Sequence, residues 1–109
     1  MLIFTFVFID IFIQQLNNLI QEGDVVIGIS GSGNSPNIIK AVQYAKKCGA
    51  QTIGFLGFHT GGEIAKITDY KIVVPDNHYG RIEDLHLVLC HLISEGLSQL
   101  KNREKIKES

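Results

Sequence analysis

Residues 23–41, GDVVIGISGSGNSPNIIKA, decide the fold. Val25, Val26, Ile27 and Ile29 form a nearly continuous apolar run, the pattern of a parallel strand covered on both faces. A short turn rich in Gly, Ser and Asn follows. Ser35 is then an N-cap and Pro36 a first helical residue, because the missing N–H of proline has no partner at that position in any case. Ile38, Ile39, Val42 and Ala45 recur at helical spacing, and Lys46, Lys47, Cys48 and Gly49 supply a cationic last turn with a glycine stop. A strand, a tight turn and a helix start gather backbone N–H groups at one point, where an anion is the natural guest.

Outward from this unit the alternation continues. Residues 51–56 make a second strand, 57–62 a loop, 63–68 a short helical turn and 70–74 a third strand closed by Pro75. From Arg81 to about Lys101 one long helix carries Leu85, Leu87, Val88, Leu89, Leu92, Ile93 and Leu97. Apolar residues on so many sides predict burial in a core or an oligomer interface. Upstream, FIDIFIQQLNNLIQEG reads as a helix ending at Gly23. Strands alternating with helices at this spacing predict an α/β fold with a parallel sheet. The chain divides into one domain over 9–101, an atypical apolar start over 1–8 and a frayed, solvated tail over 102–109.

Composition bounds the function. A chain of 109 residues with 45% hydrophobic content suits a single domain, and a net charge of -1 supplies no basic field for nucleic acid. The apolar start has no preceding Lys or Arg, is interrupted by Asp10, and falls short of the roughly 20 residues that span a bilayer, so no membrane role is expected. Cys48 and Cys90 have no CxxC spacing and read as reduced, buried thiols of a cytoplasmic protein.

The turn ISGSGNS fails three known devices. No Lys follows Gly33 as a P-loop needs, Pro36 stands where a dinucleotide fingerprint needs its third Gly, and Ser32 interrupts the GxSxG of a nucleophile elbow. What survives is a cluster of hydroxyls at Ser30, Ser32 and Ser35 beside a helix start, which suits one phosphate monoester. The plainer alternative is that Ser and Asn merely cap a helix.

The stretch from GDVVIGISGSGNS to QTIGFLG, continued by RIEDLHLVLCHLISEGL, resembles the SIS (sugar isomerase) domain in its phosphoheptose isomerase branch. The resemblance covers roughly residues 9–97. It implies a three-layer α/β sandwich with a parallel sheet, of which this chain is the C-terminal part of an N-terminally truncated domain. It implies phosphate binding by Ser30, Ser32 and Ser35, with backbone help from Gly31, Gly33 and Asn34. Gly31 stands where many relatives have Thr. It places His91 on the family's catalytic histidine and Glu83 where relatives often have Gln, a residue that joins the histidine in a divalent metal site, with zinc as the metal that would suit Glu83 and His91. A carboxylate in the first helical turn has an equally simple role on the helix dipole.

The implied activity is ketose–aldose isomerisation of D-sedoheptulose 7-phosphate, which needs an acid and a base. Relatives carry the other catalytic group, a Glu, upstream, so no turnover is expected of this chain alone. The alternative is a non-catalytic sugar-phosphate-binding regulatory or assembly module. Association into a homo-oligomer through the long helices is expected. His59 reads as a solvated loop residue, His78 and His86 as structural, and Tyr79 as a residue that closes over a sugar.

Overall fold

The computed structural model describes residues 2–5 and 20–108. Four strands, β1 (Leu2–Thr5), β2 (Val25–Ile29), β3 (Gln51–Gly57) and β4 (Tyr70–Val74), form one sheet in the order β1-β2-β3-β4. All three pairings are parallel, with Leu2 opposite Val25, Val25 opposite Gln51 and Ile53 opposite Tyr70. The helix expected over 8–23 lies outside the described residues except for its last few positions. The apolar start contributes β1, so β2 is an interior strand with neighbours on both sides and presents no free edge.

Helix α1 (Pro36–Lys47) joins β2 to β3, a four-residue helix α2 (Ile64–Ile67) joins β3 to β4, and α3 (Tyr79–Glu108) follows β4. Alternation along the strands sorts the core into two layers. Ile38 and Val42 of α1 and Ile64 and Ala65 of α2 pack with Leu56 on one face of the sheet. Val26 meets Ala45 and Ala50 on that same face. Ile27, Ile29 and Phe55 point the other way, toward Leu89, Cys90 and Ile93 of α3. The architecture is a parallel α/β sandwich of three layers, as the family resemblance implies.

Helix α1 ends as its sequence indicates. Ala50 N donates to Ala45 O at 3.1 Å and Gly49 N to Lys46 O at 3.1 Å, the paired bonds that close a helix over a glycine. Helix α3 departs from expectation at both ends and in burial. It begins at Tyr79 and runs through residues 102–108, so the tail expected to fray is helical, with residues 101–107 exposed. Only one stripe is buried: Ile82 and His86 fully, Leu89, Cys90 and Ile93 partly. Leu85, Leu87, Val88, Leu92 and Leu97 are exposed, because one sheet face can cover only about a third of a helix's circumference. Cys48 and Cys90 are free and half-buried rather than buried.

A buried threonine fastens β3 to the turn before β4. Thr52 N and Oγ1 donate to Asp69 Oδ2 at 2.8 and 2.9 Å, while Asp69 N donates back to Thr52 Oγ1 at 3.0 Å. Lys46 reaches the same turn, its Nζ lying 3.5 Å from Asp69 Oδ1 and donating to Ile67 O at 2.8 Å. Donation from the Thr52 backbone, then from its hydroxyl, holds the Asp69 carboxyl below its ordinary value. The stability it contributes is therefore complete above the unfolded aspartate value of about 3.9 and is lost as pH falls through the lower folded value. We expect Asp69→Asn to lower the melting temperature at pH 7 and to flatten part of the decline below about pH 4. Parallel curves for the two proteins from pH 7 to pH 2.5 would contradict this.

Candidate functional site: the serine loop and the start of the long helix

The loop after β2 leaves the sheet at its C-terminal edge, where ligands of parallel α/β sheets bind. Ser30 N donates to Phe55 O at 2.9 Å, one last ladder bond before the chain turns. Gly33 N then donates to Ser30 Oγ at 3.0 Å and Asn34 N to Ser32 Oγ at 3.1 Å. Each hydroxyl oxygen thus accepts from the backbone, and its own hydrogen is left to donate to something else. Ser35 occupies the N-cap of α1 without a side-chain capping bond. Three hydroxyl donors at a helix start fit an oxyanion.

The loop is clamped from behind. Gly33 O accepts from Ile64 N at 2.8 Å, and Asn34 Oδ1 accepts from Glu63 N at 2.9 Å. Gly33 sits at φ +70°, and a Cβ there would lie 1.8 Å from Gly61 O. Only glycine fits both the dihedral and the space.

A cavity of about 560 Å³ opens in front of the loop. Ser30, Gly31, Ser32 and Ser35 line one side, and Tyr79, Glu83, Asp84, His86, Leu87 and Cys90 of α3 line the other. Four of the six expected phosphate-binding residues are thereby brought together. Gly33 and Asn34 do not line the cavity; their N–H groups are spent on the serine hydroxyls, and they build the loop.

The histidines divide sharply. His86 is 3% exposed, and its Nε2 donates to Leu56 O at 2.7 Å. It is a satisfied buried histidine, as a structural reading predicts, yet it also lines the cavity. His91, between Cys90 and Leu92 in the sequence, is exposed and does not line the cavity. By the helical period it lies between Leu87 and Asp84 in direction and about one turn beyond Leu87, on the prolongation of the cavity wall. His59 is exposed in its loop.

Glu83 lines the cavity, but eight residues separate it from His91, about 12 Å along the helix axis. Among the described residues no three His, Cys, Asp or Glu side chains converge as a metal site. A metal bound through Glu83 or His91 would need ligands from elsewhere. Burial pushes the Cys90 thiol up, which keeps it protonated and a poor nucleophile.

Sequence reasoning found the loop but left most of the opposing wall unassigned. Tyr79, Glu83, His86 and Cys90 recur at i, i+4, i+7 and i+11, a single stripe down α3. That spacing was legible; that the stripe faces the loop was not.

The described residues contain no helix long and apolar enough to cross a membrane. A family model described as the SIS domain matches residues 6–57. The phosphoheptose isomerase of Fusobacterium nucleatum subsp. nucleatum is 43% identical over 88 residues, covering 81% of this chain and 45% of that protein. That of Nitratiruptor sp. is 46% identical over 89 residues, covering 78% and 47%. The chain belongs to the SIS-domain family. Within it, the likeness is to the phosphoheptose isomerase branch: the solved phosphoheptose isomerase of Neisseria gonorrhoeae superimposes with a TM-score of 0.77 at 35% identity, over 82% of this chain and 50% of that one. This SIS-domain chain spans about half the length of the curated relatives it matches.

The clamp behind the loop is open to test. Gly33→Ala must push the loop away from the Gly61 carbonyl, and we expect a loss of about 2–4 kcal/mol of stability by chemical denaturation. A loss under about 0.5 kcal/mol would mean that the loop yields without consequence.

Proposed function

We propose that this chain binds the phosphate of a sugar phosphate in the serine loop and contributes His91 to the ketose–aldose isomerisation of D-sedoheptulose 7-phosphate. The observation that carries the reading is the convergence of Ser30, Ser32 and Ser35 on a cavity whose far wall is the helix bearing His91. The names of the relatives support the substrate. Phosphate bound at the loop directs the carbon chain along α3, past Asp84 and Leu87, toward His91. An imidazole can both accept and donate a proton and so can move one between adjacent carbons. The resemblance implies a second acid–base group, a Glu upstream.

The alternative, a sugar-phosphate-binding module without catalysis, is favoured by the placement of His91 outside the cavity. Turnover separates the two readings.

We further propose a homo-oligomer in the cytoplasm. Leu85, Val88 and Leu92 are 47, 50 and 62% exposed and form one apolar stripe away from the cavity wall, an unusual surface for a lone chain. A second copy of α3 would cover it. Light scattering should give a mass above the 12.1 kDa of one chain, and Leu92→Glu should shift it toward one chain. A wild-type mass of 12.1 kDa would refute the association.

Sedoheptulose 7-phosphate should raise the melting temperature of the chain, by about 2.7 kcal/mol of linkage at a hundredfold excess over Kd, and Ser32→Ala should abolish most of that rise. Equal rises in both proteins would place the phosphate elsewhere. In a protein that spans the relatives' full length, His91→Ala should lower turnover by about 100-fold or more while leaving the melting shift intact. Binding without any turnover there would establish the non-catalytic module instead.

A further inference from the structure

Gly31 lines the cavity without a side chain, and an aromatic ring fills the space. A Cβ at Gly31 would meet Tyr79 Cδ1 and Cε1, each at 3.0 Å. The ring therefore packs against the loop at Gly31, and Tyr79 lines the same cavity as the serines. Tyr79 is 52% exposed, so the residue is not sealed off by the contact with the loop.

Two devices fix this ring. Phe58 meets it edge to face, with centroids 4.9 Å apart and planes at 82°. Phe58 follows β3 directly and has φ +57°, the only non-glycine residue with positive φ among the described residues. A bulky residue in that region is strained, and such strain concentrates at ligand sites where surrounding structure holds it. From the other side, Arg81 Nε and Nη2 donate to Asp76 Oδ2 and Oδ1 at 2.7 and 2.8 Å, and His78 N donates to Asp76 Oδ1 at 2.9 Å. This fork fixes the first turn of α3 and hence the direction of Tyr79.

We propose that Tyr79 is a specificity-determining residue of the site, its ring being the wall on which the carbon chain next to the phosphate packs. The proposal rests on the reading that the serine loop binds phosphate. It assigns Tyr79 no part in holding the phosphate itself. A ligand with carbons beyond the phosphate gains from the ring, and inorganic phosphate gains nothing.

Calorimetric titration of the full chain with sedoheptulose 7-phosphate and, separately, with inorganic phosphate tests this. Tyr79→Ala should weaken the sugar phosphate about tenfold and change inorganic phosphate by less than about twofold, retained phosphate binding showing that the fold survives. Tyr79→Phe should stay within about threefold of wild type for both. Gly31→Thr should weaken the sugar phosphate by displacing the ring, and should weaken it no further when Tyr79→Ala is already present. Equal loss of both ligands in Tyr79→Ala, or no loss of either, would overturn the role of Tyr79 and leave the phosphate reading standing. Wild-type protein that binds neither ligand would overturn both.

Discussion

The site depends on one backbone contact. Gly33 lies in the left-handed region with the Gly61 carbonyl where a side chain would be, and its own carbonyl accepts from Ile64 N. This locks the turn after β2 onto the turn after β3. Because the loop cannot move away from its neighbour, Ser30 Oγ and Ser32 Oγ are held as acceptors of the Gly33 and Asn34 N–H groups, and their hydrogens are directed elsewhere. Preorganised donors of this kind need no rearrangement when an anion arrives.

The second constraint is geometric. Helix α3 packs one stripe, Ile82 to Ile93, on the face of the sheet that carries Ile27, Ile29 and Phe55. The adjacent stripe, Tyr79 to Cys90, is thereby turned toward the serine loop and becomes the far wall of the cavity. The remaining apolar positions have nowhere to go within one chain. The same packing that builds the cavity thus leaves an exposed apolar stripe, and the placement of His91 follows from it too: lying opposite the buried stripe exposes the imidazole, and lying about one turn beyond Leu87 sets it past the end of the cavity.

Much of this was legible in the sequence. The apolar run Val25–Ile29, the Ser-rich turn, the Pro36 start and the Gly49 stop specify β2, the loop and α1 by local chemistry alone, and alternation with residues 51–57 and 70–74 specifies a parallel sheet. His86, read as structural, is a satisfied buried residue, whereas His91 is exposed. The difference is five residues, or about 140° around the helix, and nothing in the local pattern of Leu and Val distinguishes the two settings. The strand at Leu2–Thr5 was hidden inside a longer apolar stretch, where periodicity alone does not separate strand from helix.

By itself, then, the sequence determined the order of elements from β2 onward, the parallel sheet and the serine loop, because each of these follows from residue spacing and from dihedral preferences acting within a few positions. Only the tertiary structure decided which stripe of α3 faces the loop, that Gly33 and Asn34 support the site rather than line it, and that the Tyr79 ring occupies the space above Gly31. Those outcomes depend on the angle at which a helix settles on a sheet and on contacts between residues dozens of positions apart. Packing fixes such quantities, and local propensity carries no record of them.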